Sequence, residues 1–432
     1  MKLTEFIGFL WVFPKYSNDI SGSMDNYRVT LTAFSIGNIA GTMFFTALLI
    51  YALNISSDNF YYSLLVGIPL IVSTIMSYGW GRISDYIGKR REVIGITGAF
   101  GGILFFVYPF VDTYPNLIIL RTVQTFFMSS GILMLVIATE HSPTKKGAGL
   151  GWVNVGGSIG GVIGGLSYSF YAGSVGSEWA HGNWLIFFCI CGSLQIFASM
   201  LFLVGKEVKV KSKPFNIKKL FAFGDIKNIE KVCVISILLL TGNHIIFIYL
   251  PKYLLDENYL ALSGIYFGYI LSLGAVLAIV CSYIAGKFSD DFGRRPILIG
   301  TIISYIITAI LYITIENPIL LGIVFAIPIF VFFSTSTRAM VSDLTSESER
   351  GRGLGTLEAS YAIGLIWGMV IATILALFLE IKVLFSFAFI FIIVALLLSI
   401  NVKETSRGPI KDLRLPLKAL ISLKRFRFGH GH

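Results

Sequence analysis

Apolar residues run along this chain in long blocks with only weak one-sided periodicity. Stretches with few or no charges occupy about 29–53, 60–80, 93–111, 116–139, 148–171, 183–205, 232–254, 261–285, 296–315, 318–341, 353–379 and 383–401. Each is close to the ~20 residues that a helix needs to cross a bilayer core. In lipid every backbone N–H and C=O must be bonded within the segment, so apolar blocks of this length predict helices. The expected fold is an all-α membrane protein with twelve transmembrane helices.

The fifth block is unusual. Its glycines fall at Gly147, Gly156, Gly157, Gly160, Gly161, Gly164 and Gly165, among others. In water each interior Gly costs a helix about 1 kcal/mol against Ala. In a bilayer the helix persists, and a bare glycine ridge lets another helix come close. Two ridges lie side by side, 156/160/164 and 157/161/165. A broad bare face of this kind is expected to slide or seal against another helix. The expected partner is the eighth span, with Gly264, Gly268 and Gly274. Gly160 or Gly164 to Leu is expected to abolish function while the chain still inserts.

Composition agrees with the pattern. The chain is 55% hydrophobic and 13% charged, against roughly 25% charged in soluble domains. The four cysteines lie inside apolar blocks and show neither metal spacing nor a disulfide framework. The short apolar run Phe6–Phe13 has no small-residue cleavage site, so no signal peptide is read there.

A net charge of +10 could point to nucleic acid, but its distribution points elsewhere. With loops assigned to alternate sides, 31 of the 34 Lys+Arg fall on one side; Lys252 and Lys382 fall on the other, and Arg121 lies inside the fourth span. Basic loops mark the cytoplasmic side. Both termini are expected there, and the excess charge faces anionic lipid rather than nucleic acid. A Lys-rich linker, 206–230, divides the spans six and six, and the basic tail mixes Leu with Lys and Arg, as a surface-lying or a disordered segment would.

The chain also repeats. Gly81-RISDYIGKRR returns as Gly286-KFSDDFGRRP, relating Asp85 to Asp290, Gly88 to Gly293 and Arg90 to Arg295, 205 residues on. Gly147-AGLG returns as Gly351-RGLG, 204 residues on. Two homologous halves are expected, a six-helix bundle at 29–205 and another at 231–402, with 1–28 before them and the tail 403–432 after. Duplicated six-helix halves are a transporter architecture with the substrate site between them.

The loop GRISDYIGKRR resembles the signature of the major facilitator superfamily, matching it at Gly81, Asp85, Gly88, Arg90 and Arg91, with Tyr86 where the family prefers a base. Leu-Arg121-Thr-Val-Gln124 resembles a second family signature, with Thr125 in a Gly slot. The glycine run resembles a third, found in antiporter branches such as drug:proton antiporters, with Gly147, Gly156, Gly160, Gly164 and Gly165 in the glycine slots and Gly161 in a proline slot. The resemblance implies a latch on the cytoplasmic side. Asp85 would engage the start of the eleventh span near Arg350 and Arg352, and Arg90 or Arg91 would engage Glu140. Asp290, Gly293 and Arg295 form the weaker copy. It implies proton coupling or substrate binding at Arg121 and Gln124.

Other polar residues within spans are Asn38, Asn154, Gln195, Asn243, His244 and Glu358. Glu358 is a candidate proton carrier or an interfacial partner of Arg352. His244 could titrate near neutral pH or bond a neighbouring helix. No nucleotide-binding or catalytic constellation is present. The expected function is that of a secondary transporter rather than an enzyme, in the plasma membrane. Proton-coupled efflux of drug-like or apolar compounds is favoured over uptake of a sugar, organic acid or amino-acid-like metabolite, and over a non-transporting sensor. The expected partners are a small-molecule substrate, protons and the bilayer, with the chain acting as a monomer and requiring no cofactor or metal.

Overall fold

The computed structural model describes residues 21–140, 146–176, 180–204, 229–346 and 350–405, without the side chains of 21–27, 138–140, 146–152 and 351. The linker 206–228 and the tail beyond 405 lie outside the described residues. In the N-terminal half the helices are α1 (Ser21–Ile55), α2 (Asn59–Ile87), α3 (Arg90–Phe110), α4 (Tyr114–Met128, continuing as Leu133–Glu140), α5 (Lys146–Val175) and α6 (His181–Val204). In the C-terminal half they are α7 (Glu230–Leu255), α8 (Gly264–Phe292), α9 (Arg294–Thr314), α10 (Pro318–Phe325, continuing as Ile329–Leu344), α11 (Arg350–Leu375) and α12 (Ile381–Ile400). Eleven of these are long and apolar enough to cross a membrane. The remaining one, α5, is the glycine-rich helix of 30 residues. Glycine adds length but almost no apolar surface.

Two helices are broken midway, the fourth of each half, though at positions about a turn and a half apart by the repeat. In α10 the break falls before Ile329, at Pro328, which lacks an N–H and restricts the residue before it. In α4 the break is a 3-10 turn at Ser129–Ile132, containing Gly131. Irregular backbone at membrane depth is tolerated where protein or a cavity lines it.

Each half has its own core. In the N-terminal half the buried apolar residues form two clusters, one around Phe44, Tyr108 and Phe188 and one around Leu31, Ile94 and Met134. The C-terminal core is continuous and also takes in Leu49 and Tyr62 from the other half.

The bundle has a basic end, which carries the Lys/Arg-rich loops, and an opposite end. Between α2 and α3 at the basic end, Gly88 adopts φ 73° and its N–H caps the Ser84 carbonyl. A left-handed backbone favours Gly there. Gly293 takes φ 94° at the matching turn between α8 and α9. Glu404 lies against Gly293, accepting hydrogen bonds from the N–H groups of Arg294 at 2.9 Å and Arg295 at 3.0 Å. It thereby caps the start of α9, where the helix dipole favours negative charge.

Candidate functional site

The two halves are locked together at the end opposite the basic one. Lys252, in the last turn of α7, is fully buried. Its Nζ pairs with Asp256 at 2.7 Å, donates to the Ser57 carbonyl between α1 and α2, and lies 5.6 Å from the Tyr62 ring centre. Tyr249 donates to the Asn59 carbonyl at 3.2 Å, and Asn258 donates to the Ser57 hydroxyl at 3.3 Å. A buried ion pair gains little net stability, but removing one partner leaves a costly lone charge. Burial acts to raise the Asp256 carboxyl, yet hydrogen bonds from Lys252 and Asn258 and the Lys252 charge together hold it below its ordinary value. A lowered carboxyl is ionised from its ordinary value of about 3.9 upward and is protonated only as pH falls through the lowered one, so the Asp256 side of the contact is lost only in acid. The closure is therefore predicted to be insensitive to pH between about 8 and about 5. Spin–spin distances between labels at Ser56→Cys and Glu257→Cys check this, and a widening toward pH 5 would contradict it.

Deeper in, the two glycine ridges of α5 face different neighbours. Added Cβ atoms at Gly160 and Gly164 would meet the α1 carbonyls of Ser35 at 2.6 Å and Ile39 at 2.7 Å. This ridge packs within its own half. The expectation that Gly160 and Gly164 face the other half is therefore corrected. Gly161 and Gly165 are the ones that face α8. A Cβ at Gly161 would lie 3.2 Å from Ala275, and one at Gly165 would strike Ser272 and approach the Gly268 carbonyl at 2.7 Å. Ser272 donates across the seam to the Val162 carbonyl at 3.0 Å, and Ser169 to the Ile265 carbonyl at 2.8 Å. Of the expected α8 partners, Gly268 meets α5 as anticipated, and Gly264 meets Tyr168. Gly274 faces Ala326 of its own half. A matching seam lies between α2 and α11, where a Cβ at Gly67 would land on the Met369 side chain. Gly67 and Ser272 are 205 residues apart, and Gly165 and Met369 are 204 apart. The two seams are thus copies of one contact.

At the basic end α2 and α8 border open space. Added Cβ atoms at Gly81 of α2 and Gly286 of α8 would meet nothing within 4 Å. Between the closed seam and this opening lies a cavity of about 540 Å³, walled by α1, α3, α4 and α6 and reached from the other half by Leu271 and Ala275 of α8. A second cavity of about 320 Å³ lies among α7, α8, α9 and α10. Leu271 borders both. The helix breaks border them too, Ser130 and Gly131 in the first and Phe325 to Phe330 in the second.

The expected latch residues hold other partners in this conformation. Asp85 accepts from Arg90 at 2.7 Å, inside its own loop, instead of engaging α11. Arg91 donates to Thr30 of α1. In the second copy Asp290 pairs with Arg294, while Arg295 donates to the Ile400 carbonyl at 2.6 Å. Arg352 is exposed. The Glu140 side chain and the surroundings of Gly147 lie outside what is described.

The expected coupling residues are dispersed. Arg121 donates to Gln124 at 2.8 Å and stacks over Phe44 at 5.1 Å, and Tyr108 donates to the same Gln124 oxygen at 2.8 Å. His244 packs on Phe247 and against α11 at Gly368, with Nε2 buried and unpartnered. Glu358 pairs with Arg338 of α10 at 2.8 Å, both half-exposed, so its partner is Arg338 instead of Arg352. None of these residues borders either cavity.

The polar residues that do border them include Asn38 and Gln195 in the first cavity and Asn243 in the second. The repeat carries a signal for two of them. Gly37-Asn38 recurs as Gly242-Asn243 at the same offset of 205. Arg338 is hard to find from the sequence because it looks like the start of a basic loop, whereas α10 continues to Leu344.

Two pseudo-symmetric six-helix bundles, joined at the end opposite the basic one and flanking a cavity, define a membrane transporter. The chain belongs to the Major Facilitator Superfamily, whose model matches residues 29–334 and 232–430. It is 26% identical over 357 residues to an uncharacterised MFS-type transporter of Methanocaldococcus jannaschii, covering 78% of this chain and 86% of that one. It is 25% identical over 365 residues to a multi-drug resistance efflux pump PmrA homolog of Lactococcus lactis, covering 77% and 83%. Its fold is similar to that of the nucleoside transporter NupG, with a TM-score of 0.67, 15% identity and coverage of 87% and 98%.

Proposed function

We propose that this protein is a proton-coupled exporter of small drug-like or apolar organic compounds, working by rocking of its two halves. The observation that carries the reading is the cavity walled by the N-terminal bundle and bordered by α8 of the other half, with the halves closed together at the end opposite the basic one by Lys252, Ser57 and Asp256. With the basic end in the cytoplasm, this conformation is open inward, and cargo enters from the cell. Similarity to an efflux pump over most of both chains supports export. Glu358, paired with Arg338, supplies a carboxylate toward the basic end, a place from which protons can be exchanged with the cytoplasm.

The test is flux in inverted membrane vesicles acidified inside. A fluorescent lipophilic dye is expected to accumulate in exchange for protons, and to leave when the gradient is collapsed. Dye movement in the same direction as the protons would instead establish uptake. Glu358→Gln is expected to abolish accumulation driven by the pH gradient while leaving dye-for-dye exchange intact. Normal accumulation in that variant would exclude Glu358 as the proton carrier.

A further inference from the structure

The second cavity belongs to one half. All its walls come from α7, α8, α9 and α10, and at about 320 Å³ it lies at the small end of ligand pockets. Rigid-body rocking carries these four helices together, so it neither opens nor closes this space. A molecule bound here is held rather than carried across. No charged side chain borders the cavity.

Two features bring hydrogen-bond donors to it. The first is the break in α10, where Phe325 to Phe330 all border the cavity. Pro328 has no N–H. The Ile329 N–H turns to the Ile327 carbonyl at 2.9 Å, and that of Val331 to the Pro328 carbonyl at 3.1 Å. The Phe330 N–H between them has no partner among the described residues. The 16-residue segment Ile329–Leu344 thus begins at the cavity with the positive end of its dipole. The second feature is α9. Tyr305, Thr308 and Tyr312 lie on one face of it and border the same cavity. Thr308 spends its hydroxyl on the carbonyls of Ser304 and Tyr305, each at 3.1 Å. Tyr305 is 6% exposed. Its hydroxyl has no partner among the described residues, yet protein does not seal it off. The rest of the wall is apolar, with Phe247, Leu250 and Ile270. Donors left unpaired in such a place are costly, so an acceptor that pairs with them gains. An ion would lose hydration here and find no counter-charge.

We propose that this cavity is a ligand site apart from the cargo path, and that its ligand is a compact, uncharged molecule with a carbonyl oxygen on an apolar body. The oxygen accepts from the Tyr305 hydroxyl and the Phe330 N–H, and the body lies against Phe247 and Ile270. Occupancy braces the break in α10. Phe330 and Phe333 pack on Tyr361 of α11 at ring distances of 5.9 Å and 5.7 Å, and Arg338 follows on the same segment of α10. Bracing the break therefore steadies the helix that carries the Arg338–Glu358 pair. The ligand acts as a modulator of transport, a step that rests on the transporter reading.

The test uses the full chain in nanodiscs with benzophenone, a photoreactive ketone, as the probe. Labelling by light is expected to saturate with concentration and to map to 325–330 and Phe247. Fluorenone and fluorene share one shape and differ in the carbonyl. Fluorenone is expected to displace the probe at a concentration roughly five- to tenfold lower than fluorene does. In Tyr305→Phe that ratio is expected to shrink to about two, which misfolding cannot imitate. The melting temperature of the unliganded variant should hold or rise, because the lost hydroxyl had no partner. Fluorene-9-carboxylate should displace the probe at least about tenfold less well than fluorenone. Labelling that never saturates and spreads over lipid-facing helices, equal displacement by fluorene, preference for the carboxylate, or an unchanged ratio in Tyr305→Phe would overturn the proposal. Dye flux in vesicles separates the two claims. Fluorenone is expected to lower the maximum dye flux and leave the half-saturating dye concentration unchanged. A rise in half-saturation alone, or no change in flux, sinks this inference alone. Saturable, carbonyl-dependent labelling in a chain that moves no dye sinks the exporter reading alone.

Discussion

Gly165→Leu is expected to insert and fold but to lose transport. The added side chain would drive into Ser272 and the Gly268 carbonyl across the seam between the halves. Overpacking of a tight contact costs about 1–3 kcal/mol. Spent on the closed seam alone, that shifts the balance of the two conformations by roughly 5- to 150-fold. Flux should fall about tenfold or more, with normal yield and a near-normal elution profile from the detergent-purified protein. Gly160→Leu has a different fate. Its side chain meets the Ser35 carbonyl and Asn38 within the same bundle, so yield and melting temperature should fall first. Identical behaviour of the two variants would contradict the division of labour between the ridges.

Lys252→Met is expected to spring the closed end open. Closing would then bury the Asp256 carboxylate beside the Ser57 carbonyl with no cation. Breaking a buried pair in this way costs roughly 3–5 kcal/mol. A cysteine at Ser63, fully buried in the closed form and labelled on whole cells by an impermeant maleimide, should react at least about ten times faster in this variant. Asp256→Asn added to Lys252→Met should restore slow labelling, because the lone charge is gone. Slow labelling in the single variant would show that Lys252 does not hold the halves together.

Much of this was legible in the chain. Twelve apolar blocks, the two repeat offsets and the loop signatures at Gly81 and Gly286 were enough for the helices and the two halves. The glycine run correctly announced close approach. It could not say which ridge meets which helix, because one helix face serves both α1 and α8 and the rotation of α5 is fixed only by packing. The seal was illegible for a similar reason. Lys252 reads as a loop residue, and its partner Ser57 lies 195 positions away. The cavity residues are neutral amides, which carry no strong signature until the repeat aligns Asn38 with Asn243. Charged residues in spans drew notice instead, yet Arg121 and Glu358 are satisfied by Gln124 and Arg338, away from both cavities. The latch partner expected for Asp85 on α11 is not what it meets here, where it pairs with Arg90 of its own loop.

The central claim is that the two halves rock about the shared seam, opening one end as the other closes. It is tested most directly by paired spin–spin distances in reconstituted protein. One pair, Ser56→Cys and Glu257→Cys, spans the closed end, and another, Tyr86→Cys and Phe288→Cys, spans the basic end. As the imposed pH gradient is varied in the presence of dye, the account predicts that the first distance lengthens whenever the second shortens. Two distances that stay fixed, or that lengthen together, would contradict it.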